Sequence, residues 1–274
     1  MSAPFALEWL TRRPYCDLHP RFLGAVEQLT EWPAPDQYGH LAEQVSRAPG
    51  VLLPRFVTEN REALREAGGY EQHVAQRGAV PTRSGNWHDF FNMAVWAHFP
   101  RVRRALNSLH VDPDAGPIDP RNGRAPAQNL AATFDESGLL VLSTSHVVLE
   151  ELRGLRFKRA FWELRAEVLS TTRFWAVGHG LLEALLNPRP GLVARGLLLH
   201  VPALPTSPDD DALRFEVDAR VAAGIKGWTS ARPVLDPVPV LAIPGFSDND
   251  AADFYDDAQN LRFVPVSRRP SAQV

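Results

Sequence analysis

The sequence predicts an α+β fold: a predominantly helical single domain with short antiparallel strands. Three observations lead there. At 274 residues the chain is near the upper size for one domain and long enough to bury a large core. Most of its apolar residues fall in stretches with helix start and stop signals. The strand-like runs at residues 52–56, 79–82, 196–201 and 238–243 are short and scattered between those stretches.

Composition removes several classes of function. Hydrophobic residues make 45% and charged residues 22%, ordinary values for a globular protein. A net charge of -3 supplies no overall field toward nucleic acid or anionic lipid. The basic residues are nearly all arginine, with lysine only at Lys158 and Lys226. A single cysteine, Cys16, excludes an intrachain disulfide and a cysteine metal cage. Residues 1–14 carry Glu8, Arg12 and Arg13 in place of a secretory apolar core, and no run reaches the roughly 18 apolar residues of a bilayer span. The expected location is cytoplasmic, with no membrane partner.

The elements follow in order. Residues 1–50 read as an arm with a helix or two, punctuated by Pro33, Pro35 and Pro49. A helical piece at residues 59–67 lies between the first two strand-like runs. Asn86 caps a long helix from Trp87, with Asp89 three residues on to reach back to the capping backbone. Pro100 suits a helix restart, which ends at His110. Residues 111–128, rich in Pro and Asp, form a long loop. Residues 129–143 predict an antiparallel hairpin turning at Asp135-Glu136-Ser137-Gly138, with Gly138 at positive φ.

Ser145 caps a helix to about Arg153, and residues 155–169 and 172–186 read as two more. A competing reading makes 173–177 a strand and Gly178-His179-Gly180 a turn. As a dinucleotide loop it fails, because Glu183 stands where the third glycine belongs. An amphipathic helix follows at 211–223, and 244–274 is an acidic, aromatic and then basic tail.

One stretch carries the strongest chemical signal. Gly85-Asn86-Trp87-His88-Asp89-Phe90-Phe91-Asn92 opens a helix apolar on nearly every side, so it is buried, and its polar groups need partners. His88 and Asn92, four apart, share a face. A second signal is Gly178-His179-Gly180-Leu181-Leu182-Glu183. His179 and Glu183 are also four apart, and two glycines beside a helical histidine cost about 1 kcal/mol each relative to alanine. That cost implies close approach by a helix, a backbone or a ligand. Two histidines in such settings are expected to share one pocket.

Other clusters are weaker. Asp248-Asn249-Asp250 with Asp253 to Asp257 resembles a generic oxygen-ligand set without EF-hand spacing, and a solvated acidic turn capping a short helix explains it better. His110 suits a helix C-terminus through the helix dipole. The basic and aromatic residues between Arg153 and Trp175 are offset by Glu150, Glu151, Glu163 and Glu167, which makes a nucleic-acid surface a minor option. No Gly-x-Ser-x-Gly elbow, phosphate-binding Gly-Lys loop, His-Glu-x-x-His or Cys-x-x-Cys is present.

Pro81-Thr82-Arg83, Asn86 to Asn92, Phe99-Pro100, Leu106-Asn107 with His110, Phe134-Asp135-Glu136-x-Gly138, Gly178-His179-x-Leu-Leu-Glu183 and Ile243-Pro-Gly245 through Asp257 occur in this order. In these blocks the chain resembles a bacterial family known as domain of unknown function 3025, over most of residues 50–265. The resemblance implies a cytoplasmic bacterial protein and carries no activity or cofactor with it.

The functional expectation therefore rests on the residues. It is a small-molecule or phosphoester hydrolase with a buried histidine/carboxylate centre, with a divalent metal as a candidate cofactor. His88, His179, Glu183 and Asp89 are the expected catalytic groups. Arg83, Asn92, His110 and Tyr255 are the expected substrate contacts, and His88, His179 and Asp256 are the candidate ligands for a metal whose identity stays open. The alternative is a ligand-binding or regulatory module using the same pocket.

Overall fold

Proline, glycine and aromatic residues near the N-terminus break the chain into short turns that lie on the main core. The computed structural model describes residues 5–121, 123–204, 211–228, 235–257 and 259–261. Two 3-10 turns, Glu8–Thr11 and Tyr15–Asp17, are followed by α1 (Pro20–Glu27) and α2 (Tyr38–Ala42). Strand β1 (Arg55–Thr58), helices α3 (Arg61–Ala67) and α4 (Tyr70–Arg77) and strand β2 (Ala79–Thr82) come next. β1 and β2 pair in parallel, Arg55 opposite Ala79 and Thr58 opposite Thr82.

The core helix α5 (Trp87–His98) is buried along nearly its whole length. Pro100 then opens α6 (Pro100–His110) as expected. Trp87, Phe90 and Phe91 meet Trp9 and Tyr15 in edge-on and stacked pairs with centroids 5.4–6.1 Å apart, geometry favoured by ring quadrupoles. The N-terminal turns are thus part of the core. Tyr15 Oη also donates to the carbonyl of Leu182 at 2.6 Å, fastening a distant segment to the same cluster.

Helix α7 (Pro126–Ser137) replaces the expected hairpin. Ala127, Ala131, Phe134 and Asp135 are buried on one helical face, and the Gln128 side chain accepts from the Ala125 amide at 2.9 Å. Only β3 (Gly138–Ser143) is strand. Gly138 has φ -68°, so its role is not a positive φ. A Cβ there would lie 2.3 Å from the Phe134 carbonyl oxygen, so glycine serves the tight helix-to-strand junction.

Helix α8 (His146–Arg153) is capped by the Ser145 hydroxyl, as expected. The helix expected over 155–169 is interrupted by a π-turn at Arg159–Glu163 before α9 (Arg165–Thr171). The helix expected over 172–186 divides: β4 (Thr172–Ala176) alternates in burial and pairs antiparallel with β3, and α10 (His179–Ala184) follows. The strand reading of that segment is the correct one. Strand β5 (Val193–His200), helix α11 (Asp211–Lys226) and strand β6 (Asp236–Pro239) complete the order, and residues 240–242 are a 3-10 turn where strand was expected.

The larger sheet runs β4-β3-β5-β6. β5 lies parallel to β3 and antiparallel to β6. The fold is α+β as expected, but its strands are mixed where antiparallel pairing was expected: α3 and α4 separate the parallel β1 and β2, and a long connection that includes β4 and α10 separates the parallel β3 and β5. Of the expected C-terminal tail, residues 258 and 262–274 lie outside the described residues. No described helix is long and apolar enough to cross a membrane.

Candidate metal centre

The centre forms where α5, the end of α7 and the start of α10 meet. Asn86 Oδ1 accepts from the Asp89 amide at 2.9 Å, capping α5 and setting the direction of its first turn. Asp89 does not reach back to the cap. Its Oδ2 accepts from the Arg83 amide at 2.7 Å and Nε at 2.9 Å, and its Oδ1 from Nη2 at 2.8 Å. This clip leaves His88 projecting toward α10.

His88 Nε2 stands 2.9 Å from His179 Nε2, and the rings meet nearly at right angles with centroids 4.3 Å apart. Glu136, from the last turn of α7, brings Oε1 to 3.9 Å from His88 Nε2 and 3.7 Å from His179 Nε2. Two donors on one tetrahedral zinc ion, each about 2.0–2.1 Å from it, stand about 3.3 Å apart. Edges of 2.9, 3.7 and 3.9 Å scatter around that spacing. Among the described residues, this is the group of three metal-ligating side chains whose donor atoms converge.

The two glycines now have a reason. A Cβ on Gly180 would lie 2.3 Å from Glu136 Oε2, and one on Gly178 would lie 2.4 Å from the Gly138 nitrogen and 2.6 Å from the Glu136 carbonyl. Both exist so that α10 can seat against the α7–β3 junction. The close approach read from the sequence is by backbone and by a carboxylate together.

Behind each imidazole stands a second carboxylate. Glu183 Oε2 lies 3.0 Å from His88 Nδ1. Asp135 Oδ1 lies 3.9 Å from His179 Nδ1, a buried nitrogen that makes no hydrogen bond. Which ring nitrogens carry protons follows from these partners. With Nδ1–H groups facing both carboxylates, two Nε2 lone pairs point into the 2.9 Å gap, and a bound metal ion or a proton shared between the rings relieves that. With an Nε2–H in the gap instead, the same ring turns an Nδ1 lone pair toward a carboxylate.

Solvent access is one-sided. The His179 side chain is 6% exposed and that of His88 30%, while Glu136 is 56% exposed. Burial first, then the Arg103 and His88 charges, hold the His179 pKa well below the usual imidazole value. His179 is therefore neutral near pH 7, the form that binds metals.

The floor of the site is a buried polar network. Arg103 pairs with Asp135, donates Nη2 to Asn92 Oδ1 at 2.7 Å, and lies over the Trp96 ring at 5.3 Å. Asn92 Nδ2 in turn donates to Tyr70 Oη at 2.8 Å. Burial pushes the Tyr70 phenol up to about 12, so it stays neutral.

The family model described as Protein of unknown function (DUF3025) matches residues 54–264. The chain belongs to this family. No curated protein and no solved structure matches it. Within the DUF3025 span lie His88, Glu136 and His179 and the carboxylates Asp135 and Glu183 behind the two rings.

The structure brings His88, His179 and Glu183 into one site, with Asp89 and Arg83 beside it. His88 is half-buried where full burial was expected. Asn92 serves the network beneath. Three expected participants lie elsewhere. The charges around His110 are Glu71, Arg124 and Arg103, and its pKa is lowered mainly by burial. Tyr255 donates to the Ala242 carbonyl at 3.0 Å and accepts from Arg165 Nη1 at 3.2 Å. Asp256 is paired with Lys158, and Asp250 with Arg165. The acidic segment of this DUF3025 chain thus neutralises cations on the π-turn and α9. Glu136, Asp135 and Arg103 were not expected, since turn chemistry explained the first two. Helical placement of 126–137 was the missing step.

Proposed function

We propose that the chain is a metal-assisted hydrolase of small molecules, with ester and phosphoester bonds as the substrate class. One observation carries this reading: two imidazole nitrogens and a carboxylate oxygen converge within 3.9 Å of one another beside solvent. Three protein ligands with an open fourth position are the arrangement of catalytic zinc sites, whereas structural sites are closed by four. A bound divalent cation lowers the pKa of its water to about 7 and so supplies a hydroxide nucleophile.

The chain's own groups would then divide the work. His88, His179 and Glu136 hold the cation. Glu183, 45% exposed, backs His88 at Nδ1 and orients its ring. Arg83, half-exposed and clipped at one edge by Asp89, offers its remaining guanidinium edge to an anionic group of the substrate.

The test is elemental analysis of protein purified without added chelator, followed by assay on carboxylic and phosphate esters. Expected are about one equivalent of a divalent transition metal, its loss in His179→Ala, and turnover abolished by a strong chelator. Protein that folds without metal, takes up none and is indifferent to chelator would sink the reading. Stoichiometric metal without turnover on either ester class would replace it with a non-catalytic binding centre.

A further inference from the structure

The buried pair of Arg103 and Asp135 sits beneath the metal centre and touches no ligand atom expected to meet substrate. Burying a guanidinium and a carboxylate together is costly, and an apolar pair of similar volume is often as stable. Arg103 is nevertheless placed with care. One arm of its fork holds Asp135, the other reaches Asn92 Oδ1 at 2.7 Å, and the Trp96 face covers the guanidinium. Asn92 is itself held by Tyr70 at 2.8 Å. The carboxylate so fixed has one further neighbour: Asp135 Oδ1 lies 3.9 Å from His179 Nδ1, a nitrogen nine-tenths buried with no hydrogen bond.

We infer that Asp135, paired with Arg103, is the positioning residue that holds the proton of His179 on Nδ1 and so aims the Nε2 lone pair at the metal. This rests on the metal-centre reading above. A neutral imidazole carries one proton on one of two nitrogens, and the carboxylate behind the ring decides which. A carboxylate at Nδ1 makes Nδ1–H the favoured form and leaves Nε2 free to bind. Lysine in place of Arg103 would not serve, because a point charge cannot hold Asp135 and Asn92 in one plane. The two imidazoles thus have unequal supports. His88 is backed by Glu183 at the surface, and His179 by a carboxylate that solvent does not reach.

Asp135→Asn tests this directly. It keeps the shape of the side chain but presents an amide that can donate to Nδ1, which favours the Nε2–H form and masks the metal-binding lone pair. Zinc affinity of the full chain is measured by competition with a chromogenic chelator. Removing such a partner weakens metal binding by about 10- to 100-fold. Asp218→Asn, a substitution at a buried carboxylate that caps α6 through the amides of Arg101 and Val102, is the control and should stay within a few-fold of wild type.

The second measurement needs no variant and no metal. Long-range nitrogen–proton correlation spectra of the chelator-treated wild-type chain should show His179 as the Nδ1–H tautomer. An Nε2–H tautomer there, or zinc binding by folded Asp135→Asn within about twofold of wild type, overturns the inference. If wild-type protein shows the Nδ1–H form but takes up no zinc, the positioning role stands and the metal-assisted reading falls. Should Asp135→Asn not fold, the wild-type tautomer alone decides.

Discussion

At the scale of single residues, Gly178 and Gly180 look alike in the sequence but face different neighbours. Gly180 has the flexible end of Glu136 opposite it, at 2.3 Å from a built Cβ. Gly178 has the backbone of residues 136–138 opposite it, at 2.4–2.7 Å. Gly180→Ala should leave the protein folded, because Glu136 can swing away and alanine favours the helix by about 1 kcal/mol. It should weaken metal binding, because the displaced carboxylate is the proposed third ligand. Gly178→Ala should instead cost stability, on the order of 1–3 kcal/mol, because backbone has to shift. Urea denaturation paired with a zinc titration separates the two. Equal stability loss in both variants would contradict the geometry.

The histidine pair was legible at this scale. Polar groups in apolar helices, and glycines at a cost, pointed to His88, His179 and Glu183. Glu136 was not legible, because Asp-Glu-Ser-Gly is good turn chemistry as well as a helix end. Local residue preference cannot separate those two without knowing what packs on Phe134.

At the scale of elements, the errors cluster around the larger sheet. The apolar run 139–142 is a strand, but its partners are β4 and β5, not the residues just before it. Strand pairing across long separations leaves no mark in a local window. Helix α5 was read correctly because caps and an apolar surface are local features. Its last residue carries a pH prediction. Burial lowers the His98 pKa to about 3, with His98 Nδ1 held by the Ala94 carbonyl at 2.7 Å and Nε2 accepting from the His19 amide at 2.9 Å.

A folded pKa below the ordinary 6.5 means that the unfolded chain binds this proton first. The His98 contribution to stability is therefore complete above about pH 6.5 and is lost as pH falls toward 3, by at most about 1.4 kcal/mol per pH unit. Asp218 acts in the opposite sense: burial raises its pKa to about 6, so its ionisation removes stability between about pH 4 and 6. The His98 ring resonances should show no titration from pH 8 to 5. A midpoint near 6.5 in the folded protein would show that the ring is not buried as described.

At the scale of the whole molecule, the family span and the folding unit differ. The match begins at residue 54. Yet Trp9, Tyr15, Phe22, Val26 and Tyr38 are buried and pack in one core with α5. Each fully buried aromatic of this kind contributes about 1.5–3 kcal/mol. Deleting residues 1–53 would expose Trp87, Phe90 and Phe91 and free α10 from Tyr15. The truncated chain should therefore lose cooperative thermal unfolding and bind a hydrophobic dye, checked by calorimetry and fluorescence. A sharp transition in the truncated chain would show that the N-terminal turns are an accessory.

The sequence by itself determined the helical character of the chain, the burial of α5, the caps at Asn86 and Ser145, and the candidacy of His88, His179 and Glu183 for one site. These follow from periodicity, side-chain chemistry within one turn, and the cost of glycine in a helix. Only the tertiary structure decided the mixed sheet, the convergence of Glu136 on the two histidines and the buried pair of Asp135 and Arg103. It also removed Tyr255, Asp256 and His110 from the site. The reason is physical: each of those depends on which distant segments of the chain meet, and local propensity is indifferent to a partner so far along the chain.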